Sequence, residues 1–336
     1  MILNNRVSSS LEDQIARPLS DAMIVDRPLV GHVEVTGKDG IDLLHKLSTN
    51  DLLVLRPGSL APTVFVTDKG RIVDFVHALV NESSTHLLTS PGHEQRLVDW
   101  IEKYHIMEEV NLSVQHSAET MVSIVGPRAE AVLQELGMPA VKANEHVSAN
   151  VGGIAVSVSH LHTFGTHIIH IIPVSDGSTA KEILIERARD AGTWLMTMDL
   201  FDTWRCMLGI PAIGAELSAS FNPYEAGLRH AISFTKGCYI GQEVIARLDT
   251  YQKIQRQLVG CMIERGIQLD EKRTIHQGQE EIGWLTSASR LPVGAKYPCL
   301  GIIRKETATL GMEISVDWNS TRIPGTIHNL FERTPE

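Results

Sequence analysis

After about residue 252 the chain stops making helices, and this change constrains its fold more than any other feature. "QRQLVGCMIE", "EEIGWLTSAS", "YPCLGIIRKE", "MEISVDW" and "TRIPGTIHNL" are short β-rich runs parted by Gly, Pro and charge. That is the pattern of a small all-β barrel or sandwich. Upstream, strand and helix patterns mix. "VEVTGKDGIDLLHKLSTND" reads as strand, turn and helix, with Leu43, Leu44 and Leu47 at helical spacing and Thr36 or Asp39 at the helix start. "PTVFVTDKGRIVDFVHALV" predicts a hairpin around Asp68-Lys69-Gly70, followed by a strand at "THLLTS". "PGHEQRLVDWIEKYHI" predicts a helix, "EVNLSVQ" and "TMVSIVGP" strands, and "RAEAVLQELG" a short helix closed by Gly137. A second hairpin turns near Gly165, before helices at "STAKEILIERARDAG" and "MDLFDTWRCML". The expected fold class is α+β, followed by a β domain.

Composition narrows the function. A formal charge of −10 repels a phosphate backbone, and aromatics at 5% are too few for a base-stacking platform, so general nucleic-acid binding is not expected. No apolar run approaches the roughly 18 residues that cross a bilayer, so no membrane partner is expected. Glu12, Asp13 and Asp21 break any signal or transit character in the first residues. The four cysteines, at 206, 238, 261 and 299, form no short pair. This predicts a reducing, cytoplasmic setting and no stably bound metal.

Cys238 stands in an unusual place. Buried structural cysteines sit among aliphatic residues, whereas "FTKGCYIGQEVIARLD" surrounds this one with glycine and charge. Lys236 and a helix beginning near "QEVIARL" would favour a thiolate. Gly237 would free the backbone, and Gly241 would allow a close approach. Two readings follow: an accessible thiol serving as nucleophile, redox group or transient metal ligand, or a small residue in a structural turn. In "HLHTFGTHIIH", His160, His162, His167 and His170 read as solvated strand histidines, since no nearby carboxylate or cysteine completes a ligand set. Asp74 reads as an outward strand residue or as a carboxylate in a polar cavity. Trp204 and Arg205 could stack on and orient a flat ligand, or be a core Trp and a snorkelling Arg.

"KGCYIGQE", residues 236–243, resembles the signature of the YgfZ family, relatives of the glycine-cleavage T-protein (an aminomethyltransferase). "VTGKDGIDLLHKLSTNDL", "GRIVD", "WRCMLGIP", "NPYEAGL", "IGWLTSAS" and "LGIIRK" fall in the family's order, so the resemblance spans roughly residues 25–332. It implies a three-domain arrangement around a central channel: residues 1–55 with 150–250, then 56–149, then a C-terminal β-barrel at 251–336. It also implies binding of tetrahydrofolate or a derivative, and partners among iron–sulfur client or assembly proteins. Carried onto this chain, the working thiol is Cys238 beside Lys236, with Gly237, Tyr239, Gly241, Gln242 and Glu243 as its motif. Asp74, Phe201, Trp204, Arg205 and Glu225 are the candidate cofactor contacts. Two departures stand out: T-proteins carry two adjacent acids where this chain has Asp74 then Phe75, and a glutamate where it has Met207. A positioned carboxylate is what aminomethyl transfer needs. The expectation is therefore an iron–sulfur accessory protein that is not an active aminomethyltransferase. The alternatives are a folate-dependent one-carbon transferase with Asp74 as base, or a non-catalytic partner-binding scaffold.

Overall fold

Residues 19–26, 28–174, 177–250 and 254–330 are described by a computed structural model. The N-terminal stretch read for targeting signals lies, up to residue 18, outside them. The first described strand, β1 (Met23–Val25), belongs to the second of two sheets.

The first sheet is antiparallel. It comprises β2 (Gly31–Thr36), β3 (Leu60–Val66), β4 (Ile72–Val80), β5 (Ser84–Thr89) and β6 (Asn111–Val114), in the order β3-β4-β5-β2-β6. One face carries two helices, α1 (Gly40–Leu47) and α2 (Glu94–Glu102). Their buried Leu43, Leu44, Leu47, Leu97 and Ile101 recur every three or four residues and pack on Val33, Val35, Phe65, Val76 and Leu87.

The second sheet runs β11-β1-β7-β10-β9-β8. Its further members are β7 (Val122–Val125), β8 (Glu145–Val151), β9 (Ile154–Thr163), β10 (Thr166–Pro173) and β11 (Trp194–Leu195). Helices α3 (Ala129–Glu135) and α4 (Ser178–Asp190) cover one face through Leu133, Leu136, Ala180 and Leu184. The other face meets the first sheet in a shared core. There Leu60, Leu79 and Leu88 pack with Met23, Val125, Leu161 and Ile172, and with Leu200, Trp204 and Leu208 of α5 (Met198–Leu208). Thr197 begins α5 by accepting a hydrogen bond from the Leu200 N–H. A last helix, α6 (Gln242–Thr250), follows the cysteine segment.

The expected all-β end is a closed barrel. Strands β12 (Arg256–Ile263), β13 (Arg273–Gln277), β14 (Glu280–Ala288), β15 (Tyr297–Arg304), β16 (Glu313–Trp318) and β17 (Thr321–His328) close in the order β12-β15-β14-β13-β16-β17. Closure leaves no unpaired edge. Sheet membership does not follow the expected limits at residues 55 and 150. β2 pairs with β5 and β6, and β8 with β9, so both limits fall where the chain is hydrogen-bonded across them. Among the described residues no helix is long and apolar enough to cross a membrane.

Candidate functional site

Where the two sheets and α5 converge, they leave a cavity of about 250 Å³. Phe75 and His77 of β4, Leu88 and Ser90 at the end of β5, Leu161 and Thr163 of β9, and Ile168 and His170 of β10 form its sheet walls. Phe201, Asp202 and Arg205 reach it from one face of α5, and the 210–217 loop closes it. No barrel residue lines it. Between β9 and β10 the turn residues Phe164 and Gly165 take φ of 51° and 70°, as a two-residue turn joining twisted strands demands. Phe164 thus enters the cavity wall from a conformation that bulky residues avoid. Its ring meets Phe75 edge-on at 6.1 Å between centroids.

The polar lining groups are mostly committed. Arg205 donates Nε to Asp202 at 2.8 Å and Nη1 to Ser287 at 3.2 Å, with Glu216 at 4.0 Å. Glu216 is fully buried and accepts from the Ala212 N–H and the hydroxyls of Thr286 and Ser287, tying the cavity loop to the barrel. Ser90 donates to Asp74, and His170 Nδ1 shares a hydrogen bond with Ser123. Burial pushes the imidazoles down, His77 to about 3 with help from His170 and His230, and His170 to about 4, so both are neutral near pH 7. His77 Nε2 is buried without a hydrogen-bond partner.

The expected cofactor contacts divide on this geometry. Phe201 and Arg205 line the cavity; Trp204, on the same helix, is 1% exposed in the shared core and does not. Asp74 takes neither expected role. Its carboxylate is buried, but it accepts the Ser90 hydroxyl at 2.5 Å and the N–H groups of Ser90 and Phe75. Burial raises it to about 6, against the lowering effect of these bonds. It pins β4 to the end of β5 and is not a lining residue. Glu225 also lies outside the cavity. It accepts from the Asn222 N–H and sits 3.6 Å from Arg71 and 3.9 Å from Arg256, bridging the first hairpin to the barrel. Met207 faces a separate small cavity of about 160 Å³ beside Cys206, Cys261 and Cys299.

The cysteine segment is built differently. Cys238 is exposed, whereas the other three cysteines are buried. Lys236 is not aimed as an activating cation. Its ammonium donates to the carbonyls of His45, Ser48 and Asn50 at 2.6, 2.8 and 2.7 Å, at the C-terminal end of α1. That is where helix carbonyls lack partners and favour positive charge. Burial holds this ammonium down, to about 8. The N–H groups of Ser233 and Ile240 donate to Thr49 and Lys46, so five bonds lace residues 233–240 to residues 45–50. Tyr239 is buried beneath the ammonium, 4.9 Å from its ring centre. Gly241 has φ +78°, and a Cβ there would lie 2.5 Å from the Thr67 carbonyl. Its close approach is to the chain's own hairpin. Gly237 has no such need: its φ is not left-handed and a Cβ would meet nothing within 4 Å. Gln242 and Glu243 open α6, with Glu243 exposed and 3.5 Å from Arg247.

The hairpin histidines are not all solvated. His160 and His170 are buried, and His160 bonds His167 and the Val141 carbonyl, while His162 is exposed and stacks on His167. Among the described residues no group of three or more His, Cys, Asp or Glu is placed to hold a metal ion. His77, Ser90 and Glu216 escaped the sequence reading. Each is a lone polar residue in an ordinary run, and its neighbours come from distant parts of the chain.

Comparison with known proteins places the chain. Residues 5–236 match the GCVT N-terminal domain, and residues 256–330 match the glycine cleavage T-protein C-terminal barrel domain. The chain is 29% identical to a putative chloroplastic transferase of Arabidopsis thaliana, over 93% of its own length and 72% of the relative's. It is 27% identical to an aminomethyltransferase of Bacillus licheniformis, over 95% and 89%. The crystal structure of glycine cleavage system aminomethyltransferase T from Bartonella henselae superposes with a TM-score of 0.79 at 18% identity, covering 95% of this chain and 88% of that one. With both of its domain models matched and this fold, the chain belongs to the glycine-cleavage T-protein family.

Proposed function

We propose that this protein is a cytosolic, folate-binding-like accessory factor for iron–sulfur cluster assembly or repair, with Cys238 as its working thiol. The observation that carries the reading is the exposed Cys238 on a frame of five hydrogen bonds, apart from a cavity whose lining carboxylate, Asp202, already accepts from Arg205. Aminomethyl transfer needs a carboxylate free to act beside the reacting amine. Here Asp74 is held by Ser90 and Asp202 by Arg205. The "KGCYIGQE" signature supports the iron–sulfur assignment. The cavity suits the flat ring of a reduced folate, between Phe75, Phe164 and Phe201. A protein-held cluster takes about four cysteine ligands, and the other three cysteines are buried, so Cys238 would meet a cluster or a client thiol only in passing.

The test is complementation. Cells deleted for the gene receive the intact protein or its Cys238→Ala form at matched levels, and a four-iron enzyme is assayed. Restoration by the intact protein alone is expected; equal restoration by both removes the thiol from the reading, and restoration by neither removes the iron–sulfur role.

A second reading, a folate-dependent one-carbon transferase, is favoured by the relatives named aminomethyltransferase or putative transferase. Formation of methylene-tetrahydrofolate from an aminomethyl donor, dependent on Asp74 and indifferent to Cys238, would establish it in place of the first.

A further inference from the structure

We infer that His77 is the specificity-determining hydrogen-bonding group of the inter-sheet cavity, and that the occupant meets it with the uncharged edge of a flat ring. The inference rests on reading the cavity as a ligand site.

The first support is the state of His77 itself. It lies mid-strand on β4 between Val76 and Ala78, is buried, lines the cavity, and its Nε2 has no partner in the protein. A buried polar atom left unpaired is costly, and an apolar residue at this position would avoid that cost. The neighbouring polar groups show the contrast. Thr89 donates to the Ser90 carbonyl, Ser90 to Asp74, and Asp202 accepts from Arg205. Thr163 is 3.5 Å from His230, and His170 is joined to Ser123. Each of these already has a protein partner.

The walls supply the second support. Phe75 packs edge-on against His77 at 5.0 Å between ring centroids, and both Phe75 and Phe164 meet His230. Phe164 holds its place from a left-handed backbone, a strained conformation of the kind that clusters at ligand clamps. Aromatic and aliphatic walls favour a flat, apolar body with few polar atoms. Both lining imidazoles are neutral at physiological pH, and the one lining cation is paired with Asp202. An ammonium or carboxylate entering here would lose its hydration and meet only Asp202 and Arg205, which already neutralise each other. An amide or lactam edge would need only the hydrogen bond that His77 offers.

The experiment uses the full chain, with 5-formyltetrahydrofolate as the probe, in the wild type, His77→Phe and His77→Gln. Binding is measured by calorimetry and Tm by thermal unfolding. We expect His77→Phe to keep or raise Tm, because no protein hydrogen bond is lost, while weakening probe binding about tenfold or more. His77→Gln, which retains a donor and an acceptor, recovers most of the affinity. Equal binding by the wild type and His77→Phe overturns the inference and leaves the folate reading intact. If the wild type does not bind the probe, the folate reading falls and Tm decides the inference. A clear drop in His77→Phe would then show a structural role and overturn it. An unchanged or higher Tm would keep His77 as a group reserved for a different uncharged ligand.

Discussion

The cavity between the sheets and the Cys238 segment solve opposite problems. The cavity is walled by residues from both sheets and α5, and its reactive groups are nearly all consumed in holding one another. At the cysteine segment the supporting groups are consumed and the reactive one is left in solvent. The difference teaches that a carboxylate or an ammonium near a site is not evidence of its role until its hydrogen bonds are counted. Asp74 and Lys236 are both spent on structure, while Cys238 and His77 are not.

Acid should separate the two regions most widely. His77 and His170 in the cavity walls and His32 on β2 are pushed down to about 3, 4 and 4, against 6.5 when unfolded, all chiefly by burial. As pH falls below 6.5 the unfolded chain takes up protons that the folded chain refuses, so stability drops steadily towards pH 4. Asp74 acts in the opposite sense: raised to about 6, it binds a proton in the fold before it does so when unfolded, and partly offsets the loss. Denaturant unfolding followed from pH 7 to 4 checks the sign; stability that rises on acidification would contradict the buried, neutral imidazoles.

The next largest effect belongs to Glu216→Ala. It leaves Arg205 and two barrel hydroxyls short of their shared acceptor, at a cost of about 3–5 kcal/mol by urea titration. Iodoacetamide labelling of Cys238 in the folded protein should stay the same, because the two regions share no hydrogen bond. Lys236→Met comes third. Three carbonyls lose their donor, and about 2–3 kcal/mol of stability should go with it. If its stability is unchanged while Cys238 labelling collapses, Lys236 is an activator after all and the comparison breaks. Cys238→Ala should be the mildest, within about 0.5 kcal/mol of wild type, as for an exposed side chain without structural partners. In the native wild type, labelling should find Cys238 and spare Cys206, Cys261 and Cys299.

Much of this was legible along the chain, and the rest follows a physical divide. The barrel could be read because its strands alternate and its turns carry their own Gly and Pro. The β9–β10 hairpin could be read because its turn is local. The cysteine segment was visible because Lys236, Cys238 and Gly241 lie within one short stretch of sequence, although the lysine's acceptors do not. The cavity was hidden. Phe75, Phe164 and Phe201 meet only after two sheets and a helix have packed, and no local spacing reports this. The expected limit at 55 parts strands of one sheet because pairing of β2 with β6 joins residues about eighty apart, whereas the limit at 150 falls inside β8, whose partner β9 is its local hairpin neighbour.

The lacing of residues 233–240 to the end of α1 also sets when the thiol can be displayed. The Lys236 bonds span 186 to 191 residues, so on a growing chain their acceptors emerge long before their donor. Contacts of such separation form late, because the intervening chain must first lose its freedom. During synthesis the end of α1 and the residues just after it therefore wait for the segment that will clamp them. A partner that recognises the clamped cysteine would ignore chains too short to have joined residues 233–240 to residues 45–50, so the segment would mark completion of the part that precedes the barrel.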